Sequence, residues 1–208
     1  MSTHASDQTG TRILAATLQV LTDYGVRRAT IEAVARCAGV SHMTIYRRWT
    51  TRDDLIRCAI ASERDRVLAE AKQGADAKDS FDDSVITFFT SALWATLTHP
   101  LLVRELRSDP EWVLPVITVE SGSHLARGCE VLTDVITKAA EAEGLSIHDV
   151  DDVAEVVVRV AHSVSLTSRE DPEFRTRAGV ERYARRTILP IAHSACRRMG
   201  STESVITP

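Results

Sequence analysis

The stretch Thr30–Trp49, TIEAVARCAGVSHMTIYRRW, carries helical apolar spacing on both sides of a four-residue break, Ala38-Gly39-Val40-Ser41. Thr30 suits an N-cap, because its hydroxyl can accept one of the unpaired amide protons of a first helical turn. Ile31, Val34, Ala35 and Cys37 then fall on the inner side of a short helix. Gly39 ends it, since glycine enters the left-handed region at little cost. Ser41 caps a third helix, expected to run through about Trp49, with Val40, Ile45 and Trp49 inward. Its outer face offers His42, Met43, Thr44, Arg47 and Arg48, with Tyr46 alongside. Two readings compete: a corner inside a helical core with solvated arginines, or a surface shaped for a DNA groove. A guanidinium fork can read guanine or clamp phosphate, and a threonine methyl can meet thymine.

Working outward, Ile13, Leu14, Leu18 and Leu21 predict a first helix near 9–24, stopped by Gly25. Residues 1–9 read as frayed. Thr51 caps a fourth helix, with Asp53 and Asp54 in its first turn, where the helix dipole favours acids; it is expected to run to Gln73, with Gly74 closing it. Phe81, Val85, Phe88, Phe89, Ala92 and Thr96 keep helical period. Pro100 opens a short helix to about Arg107, and Asp109-Pro110-Glu111 reads as a capped restart. Pro115 and Gly122 leave open whether the next segment, ending near Glu143-Gly144, is split or bent. Asp149–Arg169 is too long for a strand; as a helix it is apolar around most of its circumference. Val180–Met199 is expected to be a last helix, kinked at Pro190.

The fold class is therefore all-α: a three-helix helix-turn-helix unit and a larger helical unit, about nine helices in total. The expected division is 1–50 for the first, 51–73 as connector and 74–208 for the second. Composition agrees, since Gly and Pro together number only 15 of 208 residues. Cys37, Cys58, Cys129 and Cys196 are widely spaced, with no metal-ligand spacing; they read as small buried residues of a reducing compartment. No apolar run reaches membrane-spanning length, and a cytoplasmic protein is expected. Net charge is −4, but residues 1–58 hold 8 Arg and no Lys against 5 acids, leaving the remainder acidic. A phosphate-facing role therefore belongs in the first third.

From Arg12 to about Leu68 the chain resembles the TetR family of bacterial transcriptional regulators. The resemblance rests on RILAATLQVLTDYG (Arg12–Gly25), on T-I-x-x-V-A-x-x-A-G-V-S-x-x-T-I-Y-x-x-W and on TRDDLI (Thr51–Ile56). It implies that Thr30 caps the second helix and meets phosphate, and that Ser41, His42, Met43 and Thr44 open the recognition helix. It implies further that the Tyr46 hydroxyl meets the DNA backbone and that Arg48 touches DNA, with Arg47 beside them, and that Arg52 contacts phosphate where the family most often has lysine. Glu32 is expected to oppose Arg36 rather than read a base.

The resemblance also implies a homodimer reading a pseudo-palindromic double-stranded operator, one recognition helix per half-site. Val153, Val156, Val157, Val160 and Val164, with Tyr183, Ile188, Ile191 and Ala195, are expected to form a four-helix interface with a second copy. Phe88, Phe89, Arg104, Trp112, His124 and His162 are expected to line a pocket for a small, mostly apolar effector of unstated identity. The expected function is a ligand-released repressor; the alternative is an activator or adaptor without ligand-controlled release. No phosphate loop, nucleophile elbow or metal-binding pair is present, so neither an enzyme nor a cofactor is expected.

Overall fold

The structure, a computed structural model, describes residues 3–167 and 171–198. The α-helices are α1 (Thr3–Tyr24), α2 (Ile31–Ala38), α3 (His42–Tyr46), α4 (Arg52–Asp76), α5 (Phe81–Thr98) and α6 (Pro100–Ser108). They continue as α7 (Pro110–Ile117), α8 (Gly122–Ala142), α9 (Val150–Thr167), α10 (Arg177–Tyr183) and α11 (Leu189–His193). Two three-residue strands, β1 (Leu145–Ile147) and β2 (Cys196–Arg198), form an antiparallel pair. The class is all-α with this one small ladder. The helical segments outnumber the expected nine because a π turn, Ala184–Ile188, divides the run from Arg177 to His193, and because Thr118–Ser121 separates α7 from α8.

Two compact units result. The first comprises 1–66 and 98–121, the second 67–97 and 122–208. The sequence-based boundary near residue 74 assigned α6 and α7 to the second unit. They pack instead with the first, because Leu101 joins its core and Trp112 lies against it. Polar contacts fix the same placement. Arg27 grips Asp109 through Nε at 2.6 Å and Nη2 at 2.9 Å, and Arg104 Nη1 donates to the Thr22 carbonyl at 2.5 Å. Asp109 was expected to cap α7; its carboxylate goes to Arg27 and makes no cap hydrogen bond.

In the first unit α1 buries Ile13, Ala16, Thr17, Val20 and Leu21, an i, i+3, i+4, i+7, i+8 stripe. Thr17 is tolerated inside because its hydroxyl donates back to the Ile13 carbonyl at 2.8 Å. Leu14 and Leu18, expected inward, only flank the core. The helix starts six residues before the expected position, since elongation adds one hydrogen bond per residue without a new nucleus.

In the second unit α5 lays Phe81, Val85, Phe88 and Phe89 against α8 and α9. Gly128 lets α8 approach α9: a Cβ there would stand 3.3 Å from Val158 Cγ1. Glu143 caps α5 by accepting the Phe81 amide at 2.6 Å. Gly74 does not close α4, which continues to Asp76. There Lys72 and Lys138 hold Asp76 at 2.6 and 3.1 Å. The undecided segment is split by Thr118–Ser121, with Pro115 inside α7 and Gly122 opening α8.

The expected helix over Val180–Met199 is corrected. Before Pro190, which lacks an amide proton, the backbone widens into the π turn. The helix stops at His193, and Cys196–Arg198 pairs with Leu145–Ile147 in the register Ile147 to Cys196. Met199, Ser168 and Arg169, included in the expected helices, lie outside the described residues. The cysteines are also corrected. Cys37 and Cys58 are exposed, Cys129 and Cys196 half-buried, because Cys37 sits just off the Ile31, Val34, Ala35, Ala38 stripe. Among the described residues no single helix is long and apolar enough to cross a membrane.

Candidate nucleic-acid interface

The corner between α2 and α3 is built from local chemistry. Thr30 Oγ1 accepts the Ala33 amide at 3.2 Å. Glu32, exposed in the first turn, has its carboxyl held below the usual range, chiefly by its own backbone amide and then by the Thr30 hydroxyl. The expected opposition to Arg36 is thus a minor influence beside capping. At the other end Gly39 adopts φ 63°, ψ 40°. The Val40 amide returns to the Ala35 carbonyl at 3.0 Å and the Gly39 amide to that of Arg36 at 3.2 Å. That pair of bonds is a Schellman closure, and it sends the chain directly into α3.

Ser41 caps α3, its Oγ accepting the Thr44 amide at 3.2 Å and lying 3.0 Å from Thr44 Oγ1. The α-helix is one turn shorter than expected, ending at Tyr46, with Arg47 as its C-cap and Trp49 beyond. Ile45 is the anchor, fully buried in the first core, and Val40 and Trp49 pack partly against that core. With Ile45 inward, the neighbouring side chains face out. Ser41, His42 and Arg47 are exposed, Met43 is 66% exposed and Tyr46 46%. A large methionine and a tyrosine are thus both exposed on one short helix. Thr44 and Arg48 are half-buried, and the Arg48 guanidinium runs beside α1, with Nε 3.8 Å from the Cβ position of Gly10.

Arg52 does not stand with this face. Its Nε donates to the Ala29 carbonyl at 2.5 Å, Nη2 donates to the Val26 carbonyl, and Nη1 meets Asp53 at 3.0 Å. The side chain expected on phosphate braces the turn between α1 and α2. Thr51 and Asp54 cap α4 reciprocally: the Asp54 amide donates to Thr51 Oγ1 and the Thr51 amide to Asp54 Oδ2, both at 3.1 Å.

Residues 13–58, the segment just described, match the family of bacterial regulatory proteins called the tetR family. Over these residues the chain carries the N-terminal region of the TetR family. It is similar to an uncharacterized HTH-type transcriptional regulator of Mycobacterium bovis, 36% identical over 86 residues, 41% of this chain and 45% of the relative. It is also 33% identical over 140 residues to the DNA-binding transcriptional repressor TetR of Mycobacteroides abscessus, covering 66% of this chain and 62% of that one. The first of these alignments spans about half of the curated relative. Among solved structures, the TetR family repressor AlkX from Dietzia aligns over 89% of this chain and 98% of its own, with a TM-score of 0.70 at 18% identity. The repressor QsdR of R. erythropolis aligns over 91% and 94% with a TM-score of 0.60 at 16% identity. At those identities the likeness is one of fold.

The expected effector residues are divided between the two units. Phe88 and Phe89 are buried in the second core, Phe89 stacking on Tyr183 at 6.2 Å, with Phe174 edge-on to Tyr183 at 5.1 Å. They are packing residues. His124 and His162 belong to the second unit, and Arg104 and Trp112 to the first. His162 is half-buried, and burial pushes its imidazole below the usual range. Of the expected interface residues, Val153, Val157, Ile188 and Ala195 are covered by their own chain and have no surface to offer a partner. Val156, 48% exposed, and the half-buried Val160, Val164, Tyr183 and Ile191 keep surface.

Sequence reasoning missed Glu105. It is 2% exposed on α6, its carboxylate meeting the Val26 amide while Oε1 has no hydrogen-bond partner among the described residues. Burial, only partly opposed by Val26 and Arg104, pushes its carboxyl above the usual range. A charged residue beside Leu101 and Leu102 in the sequence was the available signal, and it was read on Arg104 instead.

Proposed function

We propose that the chain binds a pseudo-palindromic DNA operator as a homodimer, represses transcription from it, and is released by a small molecule. The observation that carries the DNA reading is the pairing of a fully buried Ile45 with exposed His42, Met43, Tyr46 and Arg47 on one capped helix. A protein core needs Ile45; it does not need the four outward residues. In this reading Thr30, Ser41, His42, Met43, Thr44, Tyr46, Arg47 and Arg48 meet DNA, residues 1–50 form the reading head with α6 and α7 packed in the same unit, α4 connects, and the second unit holds the dimer and effector surfaces. Arg52 acts behind them by setting the corner. One head reads few base pairs, and two-fold symmetry doubles the site. The exposed edge of α9, centred on Val156 and Val160, supports the dimer.

The test is selection of genomic fragments by the full chain, followed by titration of the enriched site. A symmetric motif is expected. The double substitution Tyr46→Ala and Arg48→Ala is expected to weaken binding at least about a hundredfold, two lost backbone contacts at roughly 1.5 kcal/mol each, with the helical circular-dichroism spectrum unchanged. Unchanged affinity would remove α3 from the interface.

A further inference from the structure

A cleft of about 340 Å³ opens in the second unit between the first half of α5 and α10, lined by Lys78, Asp83, Ile86, Thr87, Thr90, Arg177, Glu181 and Arg185. That volume is at the lower end of the range for small-molecule sites, about 300–1,000 Å³. Its charges are not equivalent. Arg185 Nη2 is already held by Glu181 at 3.0 Å and Asp83 at 3.5 Å. Arg177 meets only the neutral Ser91 hydroxyl, at 3.0 Å, and neither it nor Lys78 has a carboxylate partner among the described residues. Deeper in the wall, Thr90 is buried and its hydroxyl has no hydrogen-bond partner among the described residues. Buried polar atoms are almost always paired, and here the missing partner is one that an occupant of the cleft can supply. Ile86, also buried, gives the same wall an apolar patch.

We infer that this cleft binds a small organic monocarboxylate. Arg177 and Lys78 take the carboxylate, a short apolar body lies on Ile86, and the Thr90 hydroxyl bonds a polar atom at the inner end. Asp83 and Glu181 share the single cation Arg185, and the one negative charge left over disfavours anions of higher charge. This differs from the mostly apolar effector expected from the sequence, and it does not depend on the DNA reading.

The experiment is calorimetric titration of the full chain, without DNA, with hexanoate, 4-hydroxybenzoate and inorganic phosphate at constant ionic strength. At least one carboxylate is expected to bind saturably, one per chain, more tightly than phosphate. Arg177→Gln and Lys78→Gln are each expected to weaken it by about tenfold, the loss of one charge-assisted contact. Lys78→Gln breaks no structural contact, so it reports even if Arg177→Gln disturbs α10. Thr90→Val keeps the shape and deletes the unpaired hydroxyl; it is expected to weaken binding several-fold while thermal stability stays level or rises. Failure of both carboxylates to bind, equal binding of phosphate, or affinity unmoved in all three variants overturns the inference. Since no DNA is present, none of these results bears on operator binding.

Discussion

Three residues show how strongly single side chains are tied to their surroundings. Ile45 is fully buried where α3 meets the first core. Ile45→Ala removes most of that contact and is expected to cost about 2–5 kcal/mol, read as a lowered denaturant midpoint at constant slope. Gly179 is a glycine for a different reason. A Cβ there would lie 1.7 Å from the Glu173 carbonyl oxygen, so backbone must move, and Gly179→Ala is expected to lose about 1–3 kcal/mol. Glu105 carries the pH dependence. Its folded carboxyl holds the proton more tightly than the unfolded one, so the stability it contributes is complete below the ordinary carboxylate range. That stability is lost as pH rises through the folded value. Glu105→Gln cannot ionise. The variant is expected to match the parent in acid and to exceed it by about 1 kcal/mol above neutrality, measured as paired unfolding curves across pH. A difference independent of pH would mean that Glu105 is not the titrating group.

At the scale of elements, the helix ends decided most of what could be read early. Thr30, Gly39, Ser41 and Thr51 punctuate α2, α3 and α4 as their side chains require, because a cap acts within three or four residues of itself. Ser41→Ala is expected to cost about 1 kcal/mol of stability and to weaken operator binding further, since α3 has only five residues and frays without its cap. Comparing the two losses by fluorescence anisotropy and thermal melting checks this. The same locality explains the misplacements. Asp109 has the sequence of a cap and the structure of an ion-pair partner, because Arg27 reaches it from 82 positions away. Arg52 stands at a helix start beside Thr51 and was read as phosphate-facing, yet the carbonyls of Val26 and Ala29 draw its guanidinium inward.

At the scale of the molecule, α9 was read as apolar on nearly every side. Folding divides that surface: Val153, Ala154 and Val157 go to the chain's own core, while Val156 is left 48% exposed. On the proposed dimer, the parent chain is expected at twice 22.9 kDa in light scattering, and Val156→Glu at the single-chain mass with folding intact. A mass that stays at the dimer value would place the interface elsewhere. Operator affinity should also fall steeply with salt, by roughly 0.9 in log K per log unit of salt for each phosphate neutralised. The Arg47→Ala variant is expected to reduce that slope by about one contact.

By itself the sequence determined the all-α class, the α2–α3 corner with its caps, and the TetR-family character of residues 13–58. Each rests on signals within a turn or two of the chain: apolar period, a hydroxyl at a helix start, a glycine with positive φ. Tertiary structure alone decided that α6 and α7 pack with the first unit, that Arg52 braces the turn between α1 and α2, and that Cys196–Arg198 pairs as a strand. It also decided which valines of α9 remain outside, and that a charged cleft lies beside α10. These depend on which distant segments meet, and a helix's own period fixes only the width of its apolar face, not what will cover each part of it.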